Sequence, residues 1–89
     1  MVKILIPPVL QRLTDGKSYV SLEADNISEI IEKLESNFPG TKKLIAPNGE
    51  VQKFINIYIN GEDIRFQQNE KTSVKENDEV NIVLAVSGG

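Results

Sequence analysis

The chain has 89 residues, enough for one domain and too few for two separate cores of ordinary size. It contains neither cysteine nor histidine, which excludes disulfide scaffolds, thiolate or imidazole catalysis and the commonest soft or borderline metal sites together. A formal charge of −3 speaks against a nucleic-acid partner, and 39% apolar with 26% charged residues is the balance of a globular chain, not a disordered one.

The opening run Met1 to Ile6 is too short for a signal-peptide core or a membrane span and is broken by Pro7-Pro8, so no membrane partner is expected. A small domain without cysteine fits the cytoplasm better than secretion. Residues 2–6 are β-prone, and Ser18-Tyr19-Val20-Ser21-Leu22 alternates polar with apolar. With Asp15-Gly16 as a turn between them, the two segments predict a hairpin with a long, irregular loop.

Ile27, Ile30, Ile31, Leu34 and Phe38 recur at helical spacing, with Glu29, Glu32, Lys33 and Glu35 opposite, which predicts one amphipathic helix. Asn26 followed three residues later by Glu29 predicts a capping box, and Pro39-Gly40 ends the helix. Residues 41–53 read as a short helical turn and then a loop around Pro47 and Asn48-Gly49.

From Phe54 to Asn60 the alternation is clean, with Ile55, Ile57 and Ile59 on one face of a strand. Asn60-Gly61 suits a tight turn with positive φ, and Ile64-Arg65-Phe66 is expected to return as a short partner strand. Beyond a polar stretch and a turn at Asn77-Asp78, Val80 to Val86 reads as the last strand, with Val80, Ile82 and Leu84 on one face and Val83 and Ala85 on the other.

One amphipathic helix can cover one face of one sheet. The expected fold class is therefore α+β: a β-grasp (ubiquitin-like) roll in which a mixed sheet of four to five strands is covered on one face by one main helix. The first and last strands are expected side by side and parallel. Residues 1–85 form the expected domain and 86–89 a flexible C-terminal tail.

That tail, Val86-Ser87-Gly88-Gly89, carries the functional signal. At ordinary glycine usage of about 7%, a terminal glycine pair arises by chance in about 0.5% of chains, so it calls for a reason. Glycines have no Cβ, and a thin chain end can thread a narrow channel to set its carboxylate beside a nucleotide.

A strand running into Gly-Gly on a β-grasp chain of this length resembles the ThiS/MoaD family of ubiquitin-like sulfur carriers, over nearly the whole chain. The segment Phe54 to Phe66, the opening Ile6-Pro7-Pro8-Val9-Leu10 and the close Leu84 to Gly89 look most like the cysteine-biosynthesis branch of that family. The resemblance implies a carrier, not an enzyme: the Gly89 carboxylate is adenylated by a separate E1-like enzyme and converted to a thiocarboxylate. Gly88, Ser87 and Val86 thread the partner's active site.

In that branch the sulfur passes to an aminoacrylate on a cysteine synthase, and a peptidase releases the product. ATP and pyridoxal phosphate are then expected on partner enzymes, with no cofactor bound by this chain. The long connection 41–53 equally fits the small subunit of molybdopterin synthase, whose partner is the large subunit. Readings of another class remain: a ubiquitin-like modifier that joins Gly89 to a target lysine, or a plain β-grasp interaction module.

Two further features are candidates for partner docking. Leu5, Tyr58, Val83 and Ala85 are expected on the sheet face away from the helix, and Arg65 and Phe66 follow the hairpin. Glu62, Asp63, Glu76, Asp78 and Glu79 read as solvated turn residues without the spacing of a metal loop, so neither a metal site nor a catalytic side chain is assigned.

Overall fold

The computed structural model describes residues 1–84. Five strands form one mixed sheet: β1 (Val2–Leu5), β2 (Tyr19–Leu22), β3 (Ile55–Ile59), β4 (Glu62–Asp63) and β5 (Glu79–Leu84), in the order β2-β1-β5-β3-β4. Only β1 and β5 pair in parallel, with Ile4 beside Val80; the other neighbours are antiparallel. The helices are α1 (Pro8–Gln11), α2 (Ile27–Asn37) and α3 (Thr41–Ile45), and two 3-10 turns span Ile64–Phe66 and Asn69–Lys71. The fold is the expected α+β β-grasp.

Helix α2 covers one sheet face. Its stripe of Ile27, Ile30, Ile31 and Leu34 is buried against Val2, Ile4, Val20, Ile55, Ile57, Val80 and Ile82 of the strands. Apolar area removed from water in this layer is the main stabilising term. The helix starts where the sequence places it: the Asn26 carboxamide accepts from the Glu29 N–H at 2.8 Å. The Glu29 carboxylate reaches back to the Asp25 N–H, one residue before the usual capping-box partner.

Two local expectations are corrected. Ile64-Arg65-Phe66 is a 3-10 turn, not a strand, and the strand returning from Asn60-Gly61 is only Glu62–Asp63. The Asp63 side chain accepts from the Arg65 N–H at 2.9 Å, and that local bond turns the chain out of the ladder. Pro7 and Pro8, read as a simple stop, cap and open α1: Pro8 takes the first helical position, where no N–H is needed.

Asp78, expected to be a solvated turn residue, is a junction instead. Its carboxylate accepts from the Lys75 N–H at 2.7 Å and the Asn60 amide at 3.0 Å, while its carbonyl accepts from the Lys3 N–H at 3.0 Å. Asn60, held at φ 49° in the turn, also accepts from and donates to Glu79. The start of β5 is thereby bonded to β1 and to the β3–β4 turn at once.

The Lys75 N–H, followed by the Asn60 amide, holds the Asp78 carboxyl below its ordinary value of 3.8. Because the folded value lies below the unfolded one, this stabilisation is present above about pH 4 and is lost as pH falls through the lowered value. Asp78→Asn is therefore expected to lower the urea midpoint at neutral pH, and the gap to the parent protein should close on acidification below about pH 4. A gap independent of pH in urea titrations would contradict this role.

Candidate functional site

β5 is the third of the five strands, flanked by β1 and β3. Its last described residue, Leu84, pairs with Ile55 and packs, half-buried, against the core. Residues 85–89 follow this strand in the sequence. Ala85, Val86, Ser87, Gly88 and Gly89, on which the reactive-end reading rests, lie outside the described residues.

What surrounds the end of β5 follows from where β1 stops. The parallel ladder ends at Leu5 beside Asn81, since the chain then meets two prolines that have no N–H to donate. β5 runs on past this point to Leu84. Ile6, Pro7, Pro8 and Val9 turn away into α1, held by the buried Leu10, and with Val83 and Leu84 they line an open recess of about 440 Å³. Val9 stands 46% exposed at its rim. An apolar recess therefore flanks the last described residues of the central strand.

On the sheet face away from α2, register decides which expected docking residues meet. Leu5, Asn81 and Tyr58 form one row across β1, β5 and β3, and Val83 stands beside Asn56 in another. Leu5, Tyr58 and Val83 are all half-buried on this face. Asn81 separates Leu5 from Tyr58, so the face has a polar seam. Tyr19 extends the row beyond β1, with the Lys3 ammonium 4.7 Å from its ring centroid.

Arg65 and Phe66 sit beyond β4 and face different tasks. The Arg65 guanidinium lies 3.7 Å from the Asp63 carboxylate and donates to the Ile55 carbonyl at 3.2 Å, bracing the strand that pairs with Leu84. Phe66 is 88% exposed and is available to a partner. Sequence reasoning passed over the Pro7-Pro8-Val9 rim. Its signal was present as a β-prone run that ends early while its parallel neighbour continues.

The ThiS family model matches residues 4–89. The chain is 37% identical to the sulfur carrier protein CysO of Mycobacterium tuberculosis over 91 residues, covering 99% of this chain and 98% of that protein. It superposes on a chain of the Amycolatopsis orientalis BexX/CysO complex with a TM-score of 0.94 and 35% identity, covering 100% of both. Small archaeal modifier protein 1 of Methanosarcina acetivorans gives a TM-score of 0.85 at 28% identity, covering 99% of this chain and 95% of that one. With a matching fold and a family model that runs through the terminal glycines, the chain belongs to the ThiS family, alongside proteins known as sulfur carriers.

Proposed function

We propose that this chain is a cytoplasmic sulfur carrier whose reactive group is the Gly89 carboxylate. The observation that carries the reading is similarity along nearly the full length of a known sulfur carrier, with a family match that runs through Gly88-Gly89. Cysteine biosynthesis is the favoured destination of the sulfur, because the carrier relatives at 37% identity are CysO proteins.

A carboxylate is a poor electrophile until one of its oxygens becomes part of a good leaving group. Adenylation supplies this: a Gly89 oxygen attacks the α-phosphorus of ATP on an E1-like enzyme and pyrophosphate leaves. Hydrosulfide then adds at the Gly89 carbonyl carbon, displaces AMP and gives up its proton, leaving a thiocarboxylate. Its sulfur is a softer nucleophile than oxygen, suited to an aminoacrylate held on the pyridoxal phosphate of a cysteine synthase.

Within this scheme the β-grasp body is a handle. Gly88, Ser87 and Val86 are the length that threads the partner's active site, and the Pro7-Pro8-Val9 recess and outer sheet face are where the partner seats. Binding energy spent there places the terminal carboxylate within reach of the nucleotide. A second reading, a protein modifier that forms an isopeptide through Gly89, draws support from the likeness to small archaeal modifier protein 1.

Two experiments test this scheme with the purified chain and its activating enzyme. Removal of Gly88-Gly89 is expected to leave the urea midpoint unchanged while abolishing carrier-dependent ATP–pyrophosphate exchange; full exchange by the shortened chain would overturn the assignment of Gly89. Val9→Glu, at the exposed rim, is expected to raise the KM for carrier about tenfold, the effect of losing one apolar anchor, with kcat little changed. An unchanged KM would remove the recess from the docking surface.

A further inference from the structure

The sheet has two edges, and the fold treats them differently. At the β4 edge the strand is only Glu62–Asp63, the chain curls into a 3-10 turn, and Arg65 occupies the Ile55 carbonyl. Such devices blunt an edge against further pairing. The β2 edge is longer, Tyr19–Leu22, and among the described residues no side chain bonds the backbone of Tyr19 or Ser21.

The Ile6 N–H donates to the Ser18 carbonyl at 2.8 Å, and antiparallel alternation makes Val20 and Leu22 the next residues whose backbone groups face β1. The N–H and C=O groups of Tyr19 and Ser21 therefore point out of the sheet. A groove of about 790 Å³ runs along this edge, walled on its far side by Asn37 and Phe38 at the end of α2. Lys17, whose ammonium lies 5.9 Å from the Phe38 ring centroid, is the only charged residue lining it.

We propose that this edge pairs with the same edge of a second copy, antiparallel, about a twofold axis at Val20. In that register Tyr19 faces the second copy's Ser21 and Ser21 its Tyr19, so each outward N–H meets an outward C=O. Val20 meets the second copy's Val20 on the core side, and Lys17 comes opposite the second copy's Glu23 on both sides of the axis. Self-pairing is thus complementary in backbone, apolar contact and charge.

Internal bonds exclude the neighbouring registers. Sliding one pair toward Glu23 requires the Glu23 carbonyl, which accepts from the Lys33 ammonium. Sliding the other way requires the backbone of Lys17, whose N–H donates to the Thr14 carbonyl and whose carbonyl accepts from the Thr14 hydroxyl. The Val20-centred register is the one that pairs the open groups of both Tyr19 and Ser21, and its ladder stops before the occupied backbone of Lys17 and Glu23. It joins two five-stranded sheets into one and leaves the end of β5, two strands away, clear of the interface.

A pair of four-residue strands makes a small interface, so dimerisation should show at concentrations on the order of 1 mM. The test is sedimentation velocity with amide NMR over a dilution series of the full chain at low ionic strength. The parent protein should dimerise with shifts centred on Tyr19 to Ser21. Lys17→Glu and Glu23→Lys should each lower the association constant about tenfold, since each turns two attractions into repulsions. Mixing the two variants equally restores opposite charges at both pairs and should restore dimerisation. A parent protein that stays monomeric at the highest concentration overturns the proposal and leaves the edge to an extended segment of another protein. Unweakened association of both variants overturns the register.

Discussion

The parallel pairing of β1 with β5 is the constraint on which the rest of the molecule depends. It sets the last strand in the middle of the sheet, between β1 and β3, and so bonds it along both sides. A parallel pair cannot be closed by a tight turn, and the intervening chain must cross over the sheet. Here that crossover contains α2, which buries the core face. Asp78 fixes the place where β5 begins by tying it to Lys3 and Asn60. The point at which residues 85–89 follow the body is thereby defined by the most internal strand of the fold.

The same pairing shapes the surroundings of that point. β1 ends at two prolines while β5 continues, and the mismatch in length opens an apolar recess beside Val83 and Leu84. A body without cysteine or histidine supplies neither a thiol nor an imidazole. Under the proposed function it need not, because chemistry at a terminal carboxylate is carried by the enzymes that the chain visits. What the fold contributes is position: Leu84 held in the central strand, with an apolar recess next to it.

Much of this architecture was legible because it is written in periodicity. The Ile27–Leu34 stripe announces α2, the Ile55-Ile57-Ile59 alternation announces β3, and one helix for one sheet leads to the β-grasp. The misses share a cause, since each depends on contacts or register that spacing does not encode. Asp63 caps a 3-10 turn through a local side-chain bond, which shortened β4. Asp78 became a junction through Lys3 and Asn60, both distant in sequence, beside its local bond to Lys75. Asn81 came to lie between Leu5 and Tyr58 only once the strands were in register. The role of the terminal glycines was legible mainly through family resemblance.

The central claim is that sulfur is carried at one atom position, the terminal carboxyl of Gly89. Mass spectrometry of the C-terminal peptide, from protein isolated out of its native cells under conditions that demand sulfur transfer, addresses it directly. The expected result is replacement of one Gly89 oxygen by sulfur, removed again when the acceptor enzyme is supplied with its substrate. A Gly89 found only as an ordinary carboxylate, or joined by isopeptide bonds to lysines of other proteins without any thiocarboxylate, would contradict it.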